Sequence, residues 1–394
     1  MAGMGIRALE LARALSEEFD ARLLVPNDPV EARQVAGALT IVHAPEGALA
    51  AAASGSDCAI VSGHAANWWF HQVPDVPVAA DLYDPFPVEN LHYARALGGQ
   101  TARHDRHALA LALARADFFL CASASQRLFY AGALFGAGRI GPHNFPPDPT
   151  LRNLMAVVPF GVPGEPARGD RAAGRRAAGV EGPGPLVLFG GVYDWYDPDL
   201  LLAAWPMILL RHPDARLLFF ENPNRETTPQ RVFETARQRA REIDPDGQTI
   251  VFSPWLAYSA RADLYAAADL VVSIASEGLE TELAYRTRLL DAAWGGLPCV
   301  AVAGGPLAEE LARAGAAREC GREAPALAAA VTALLSDPAA LRRASDAARA
   351  FAAARTWKAV VQPLAAWCRT AALDPGRLPA PSAEKGSRLR RLFQ

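Results

Sequence analysis

No two of the five cysteines, Cys58, Cys121, Cys299, Cys320 and Cys368, stand as a C-x-x-C pair. That absence excludes a zinc ribbon and a dense disulfide framework and suits a reducing compartment. Charge of one sign is lacking too: 39 basic against 42 acidic residues leave a net charge of -3. An overall field that draws nucleic acid is thereby excluded. No apolar run reaches the roughly 18 to 20 residues that span a bilayer. The first residues lack the apolar core and cleavage site of a secretory leader. A cytoplasmic protein is the expectation. Several catalytic signatures are also missing. There is no G-x-S-x-G elbow and no G-x-x-x-x-G-K-[ST] loop, which excludes an α/β-hydrolase nucleophile and a P-loop enzyme. Asp81 and Asp84 stand three apart, so they form no D-x-D pair, and a metal site is not expected. His104, Asp105 and His107 read as a solvated helix face.

What the chain does have is length and alternation. Its 394 residues, 51% apolar and 21% charged, suffice for two or three cores. Short apolar runs alternate with helical periods. In the first half the strand candidates are residues 21–25, 39–43, 58–62, 76–82, 118–122 and 156–160. In the second they are residues 186–189, 216–220, 249–252, 270–274 and 299–302. Helical periods cover, among others, residues 6–18, 102–115, 198–211, 229–243, 260–267, 281–294 and 306–314. Such alternation predicts an α/β protein of two doubly wound, Rossmann-like domains, each a parallel sheet covered on both faces. Their boundaries are expected at residues 1–161 and 186–356, with a Gly-, Pro- and Arg-rich linker at 162–185. A helix at 357–373 and a flexible tail at 374–394 follow. A cleft between the carboxyl ends of the two sheets is the expected ligand site. The tail reads as disordered, with contact to an anionic membrane surface through its basic residues as the alternative.

The chain start is unusual. Gly3 and Gly5 followed by a helix resemble a strand–turn–helix phosphate loop, yet no strand precedes them. The first, central strand of the first domain is expected to be missing, as if the assigned start lay inside a longer reading frame. A nicotinamide-binding reading is weak, because the third glycine of G-x-G-x-x-G is absent.

Candidate site residues cluster after strand ends. Gly190 and Gly191 follow the first strand of the second domain, with Asp194, Trp195 and Tyr196 close behind. Glycines there allow close approach of a diphosphate. Further on, Glu280 and Thr281 open a helix, Arg286 and Arg288 add positive charge, and Asp291 can accept from ribose hydroxyls. Residues two apart on a helix point in different directions, so both arginines reach one phosphate only if the helix starts late. In the first domain His64, Asp81 and Asp84 follow strands and are candidate catalytic groups, with Tyr83 beside them.

The run Leu290-Asp291-Ala292-Ala293-Trp294-Gly295-Gly296-Leu297-Pro298-Cys299-Val300 resembles the retaining GT-B glycosyltransferases grouped as family 4. Gly190–Pro198, Arg286-Thr287-Arg288 and Asp81-Leu82-Tyr83-Asp84-Pro85 resemble a bacterial subgroup of it. The resemblance implies transfer of a sugar from a nucleotide-diphosphate donor to an acceptor hydroxyl, with retention and without metal or other cofactor. It implies a ribose contact for Asp291 and a helix crossing back to the first domain at 357–373. Three departures stand out. The family's E-x7-E pair would need Glu at position 283, which is Leu283, leaving Glu280 or Glu282 to stand in. The usual Arg and Lys after the first strand of the second domain are absent, leaving the charge to Arg286 or Arg288. Tyr83-Asp84 replaces a His-Asp pair. A nucleotide-sugar-binding scaffold and a GT-B epimerase or phosphorylase are the alternatives.

Overall fold

The computed structural model describes residues 3–73, 75–222 and 228–378. The tail residues 379–394, with the basic stretch considered for membrane contact, lie outside the described residues. The chain divides into two compact units. One, the first-half unit, comprises Arg7–Pro87, Gly99–Pro159 and the chain from Val361 onward. The other, the second-half unit, comprises Phe160–Val360, Val88–Gly98 and the residues up to Ile6.

All strand pairs within the sheets are parallel. In the first-half unit the strands are β1 (Arg22–Val25), β2 (Thr40–His43), β3 (Ala59–Ser62), β4 (Val78–Asp81), β5 (Phe118–Cys121) and β6 (Met155–Val157). They form not one sheet but two: β1-β2 alone, and β3-β4-β5-β6. Strands β4 and β5 are buried along their whole length, as interior strands of a parallel sheet must be. β3 is not: Ile60 is exposed, because among the described residues no strand pairs with its outer edge. Arg7, on the helix Gly3–Leu15, ties the carboxyl ends together. It grips Asp81 at the end of β4 with two hydrogen bonds, of 2.6 and 2.9 Å. It also donates to the carbonyls of Val158 and Pro159 just past β6.

The second-half unit holds β7 (Leu186–Gly191), β8 (Arg216–Phe220), β9 (Ile250–Ser253), β10 (Leu270–Ile274), β11 (Cys299–Val302) and β12 (Ala317–Glu319), in the order β12-β11-β10-β7-β8-β9. Order reverses beside β7, so β7 and β10 flank the topological switch point, where open parallel sheets bind ligands. The core gathers Val187, Phe189, Leu217, Phe219, Val272 and Ile274 against the helices Pro198–Leu209 and Ala324–Ser336. Trp205 is fully buried there, and its indole N–H donates to the Thr249 hydroxyl. Among the described residues no single helix is long and apolar enough to cross a membrane.

Four expectations change. The linker reading of residues 162–185 gives way to a helix, Arg171–Ala177, capped by the Asp170 carboxylate. It packs on the helix Arg261–Ala267 through glycine: a Cβ on Gly174 would lie 2.0 Å from the Asp263 carbonyl oxygen. Small residues, not an apolar period, make that contact. Gly3 and Gly5 stand inside the helix Gly3–Leu15 and do not form a loop before it. The single helix read at 281–294 is two, Leu279–Leu283 and Thr287–Trp294, with a break between. The chain expected to form one helix at 357–373 holds two short ones, Trp357–Val360 and Gln362–Cys368. Replacing Gly174 by Ala should destabilise the protein by about 1 to 3 kcal/mol, because the two helices must separate to admit the methyl group. Urea unfolding of the two proteins measures this.

Candidate functional site

The carboxyl ends of β7 and β10 carry the densest set of candidate groups. β7 closes on Gly190 and Gly191, with a register shift against β8 between Leu188 and Gly190. Gly190 has φ +89°, a conformation open to glycine, and a Cβ there would lie 3.4 Å from the Arg288 guanidinium. The backbone of β7 and the Arg288 side chain are thus in direct approach. Arg288 donates to the Phe189 carbonyl at 3.1 Å and lies over the Tyr196 ring, 4.0 Å from its centroid. Among the described residues no carboxylate pairs with it. Its charge is felt nearby: burial raises the Tyr193 phenol above its ordinary range, while Arg288 pulls the other way.

Arg286 differs in kind. It lies just before the helix Thr287–Trp294, with φ −65° and ψ 80°. Its guanidinium meets Glu280 through two parallel bonds of 2.7 and 2.6 Å, and both side chains are buried. Thr281 completes the knot, its hydroxyl donating to the Ser276 carbonyl at 2.6 Å and standing 3.3 Å from Arg286. Burial works against the charge on Arg286, but Tyr196 and Glu280 more than restore it and hold the pKa above its ordinary value. Arg286 and Glu280 are therefore not the free phosphate and sugar ligands expected of them. Each is committed to the other.

Because the helix starts at Thr287, Arg288 stands in its first turn. Asp291 follows one turn on, on the same face. Asp291 is about four-fifths buried, 3.9 Å from Arg261. The Arg261 guanidinium covers the rings of Tyr258 and Trp294. Asp194 faces elsewhere: its carboxylate accepts from Val232 N–H at 3.4 Å and pairs with Arg231, so it caps the helix Arg231–Ile243. That corrects its reading as a donor ligand.

Sequence reasoning missed other groups here. Arg322, after β12, pairs with Asp197 at 2.9 Å, reaches the Ala275 carbonyl and approaches Glu277 at 3.4 Å. Trp255, after β9, is exposed and comes within 3.5 Å of where a Gly191 Cβ would stand. An exposed tryptophan at a strand's carboxyl end was the available signal. Trp195 stacks flat on Tyr193 at 5.0 Å and meets His92 and Tyr93 edge-on, which joins the segment Val88–Gly98 to this unit.

In the first-half unit His64 follows β3, and its Nε2 lies 2.9 Å from the Asp105 carboxylate. The imidazole is half exposed and Asp105 is buried. The pairing spans 41 residues, which is why spacing did not reveal it. Asp81 was expected to be a free carboxylate. It is buried, held by Arg7, and accepts from Tyr83 N–H at 3.3 Å, while Arg7 lies over the Tyr83 ring. Asp84 is half-buried past the end of β4. Among the described residues no group of three or more His, Cys, Asp or Glu side chains gathers as a metal site.

Replacing Glu280 by Ala should cost about 3 to 5 kcal/mol, since Arg286 would be left buried without its counter-charge. The double variant Glu280→Ala/Arg286→Met should recover much of that loss in the same denaturant titration.

Comparison with known proteins places this geometry. Residues 184–337 match the family model described as glycosyl transferases group 1. A sequence comparison with curated proteins gives no match. Among solved structures, HepE of Anabaena in complex with UDP-glucose is similar with a TM-score of 0.69 at 16% identity, over 94% of this chain and 96% of that one. Sucrose-phosphate synthase of Thermosynechococcus elongatus is similar with a TM-score of 0.65 at 18% identity, over 94% and 93%. A glycosyltransferase of Rickettsia africae is similar with a TM-score of 0.62 at 13% identity, over 93% and 94%. At these identities the likeness fixes the fold: the α/β type, with parallel sheets, of GT-B glycosyltransferase structures.

Proposed function

We propose that the protein transfers a sugar from a nucleoside-diphosphate sugar to an acceptor hydroxyl. The observation that carries this reading is the cation at the switch point. Arg288 is held by a carbonyl and a ring face, beside a glycine strand end and in the first turn of a helix whose next turn carries Asp291. That is a diphosphate site with a hydroxyl acceptor adjoining it. The stretch matched to the glycosyl transferases group 1 model contains all of these groups. The UDP-glucose complex of HepE makes uridine diphosphate sugars the first donors to try.

In this mechanism negative charge builds on the leaving diphosphate as the glycosidic bond breaks. Arg288, the N–H groups of Gly191 and of the helix Thr287–Trp294, and the helix dipole stabilise that charge. Asp291 holds the ribose hydroxyls. In the first-half unit His64, oriented by Asp105, serves the acceptor hydroxyl, with Asp84 beside the same strand ends. Transfer proceeds with retention and without metal, and the protein works in the cytoplasm. Leu283, buried where the resembled family has a glutamate, favours a second reading, nucleotide-sugar binding without turnover.

Thermal-shift titration with nucleoside diphosphates and their sugars, followed by an acceptor screen, separates the two readings. Ligand-raised stability with sugar transfer supports the enzyme, and binding without transfer supports the second reading. Arg288→Ala should lose about 1.5 to 3 kcal/mol of UDP affinity in calorimetry, the worth of a hydrogen bond to a charged group. Unchanged affinity in a folded variant overturns the assignment. Asp105→Asn should leave nucleotide affinity unaltered and lower the transfer rate about 10²-fold, within the range for general acid–base groups.

A further inference from the structure

The first-half unit contains a cavity of about 410 Å³, and its lining describes its occupant. Close-packed interiors rarely hold voids larger than a water molecule, so a largely apolar space of this size, partly open to solvent, needs an explanation. Two of its walls are strands. β1 lines it with Arg22, Leu23 and Leu24, and β3 with Ala59, Ile60, Val61 and Ser62. These strands are the facing edges of the two separate sheets. Among the described residues β1 pairs only with β2, and β3 only with β4.

Backbone direction shows what those edges offer. Along a strand, the N–H and C=O of one residue point to one side and those of the next residue to the other. The Ala59 N–H goes to Pro77 on the β4 side, so the amide groups of Ile60 point away from β4. The Val25 carbonyl accepts from Ala44 on the β2 side, so those of Leu24 point away from β2. Both sets address the cavity. The rest of its lining is largely apolar side chains of helical segments, with Leu11, Ala12 and Leu15 from Gly3–Leu15, Leu49 from Leu49–Ala52, and Trp68 and Trp69 from Ala65–Gln72, together with polar Asp20, Ser56, Asp57 and Asp81. A largely apolar slot lined by two strand edges and by helices is the environment of an interior parallel strand.

We propose that this slot is the seat of one further β-strand, about four apolar residues long, parallel to β1 and β3 and joined at its carboxyl end to the helix Gly3–Leu15. Three observations fix those properties. The flanking strands are four residues each, which sets the length. Both belong to parallel pairs, which sets the direction. Arg7, in the helix's second turn, is anchored at the carboxyl ends of β4 and β6, while the helix runs back to Arg22 at the start of β1. A strand ending at the carboxyl edge therefore meets the start of that helix through a short turn. With it in place, strand, helix and β1 form one right-handed crossover unit, and the two sheets become one of seven strands. The occupant must be apolar on both faces and rich in Val, Ile or Leu.

The test lengthens the chain at its amino end in two ways. One carries Lys-Ile-Val-Leu-Val directly before Met1, the other Lys-Ser-Gly-Ser-Gly. The apolar extension should raise the melting temperature by about 4 °C or more over the polar one, the scale of one to two strong contacts in a unit of this size. It should also slow hydrogen exchange at the Leu24 and Ile60 amides. Equal melting temperatures and equal exchange at those amides overturn the proposal. So does a cavity that belongs to a small ligand: decanol stabilising the unextended and the apolar-extended chains alike would show the slot still open.

Discussion

The buried pair of Glu280 and Arg286 decides the geometry of the second-half site. A carboxylate and a guanidinium removed from water lose hydration that their attraction repays only with good geometry and satisfied hydrogen bonds. Here two parallel bonds, the Thr281 hydroxyl and the Tyr196 face supply that geometry. Pairing residues six apart in this way is incompatible with one continuous helix through both, and the chain breaks between Leu283 and Thr287. The break sets where the second helix begins. Its first turn then carries Arg288 and its second Asp291, so a structural ion pair determines which arginine is left without a carboxylate partner.

The same environment-led sorting acts on the carboxylates of the first-half unit. Asp81 and Asp105 are both buried, yet they serve different ends. Asp81 faces an arginine that also holds two carbonyls at the end of β6, so its charge joins a helix to two strand ends. Asp105 faces a half-exposed imidazole and holds its ring in place. A buried aspartate next to a permanent cation is architecture. Next to a half-exposed imidazole, it orients a ring that solvent can reach.

Much of the fold was legible because parallel strands buried on both faces read as apolar runs. All but one of the strands fall on such runs. The exception, β12, is Ala-Arg-Glu, an edge strand with no apolar signal to give. The helix break at 284–286 was invisible for a different reason. Leu283-Ala284-Tyr285 contains no proline or glycine, and the interruption comes from a tertiary ion pair that overrides local preference. The helix at Arg171–Ala177 was hidden by its own packing, which uses glycine and alanine where an apolar stripe would have been read. Gly190 and His64 stand out as candidates because topology puts them at strand ends, and Arg288 because it follows a helix start. Partners distant in sequence, such as Asp105 for His64 and Arg7 for Asp81, carry no spacing signal at all.

Glycine at 190 and arginine at 288 are best understood as one unit. The guanidinium needs a carbonyl to donate to, and Phe189 offers one only because the strand turns at the next residue with φ +89°. A side chain at 190 would be strained by that conformation and would press on the guanidinium at 3.4 Å. The flat face of Arg288 in turn rests on Tyr196, a contact that a lysine ammonium would not reproduce in the same plane. Tyr196 also faces Arg286 at 5.0 Å, so one buried ring supports both cations. The two arginines thus share a support while only one is neutralised by a carboxylate. The remaining positive charge sits where the strand order reverses, the position on which the proposed donor site rests.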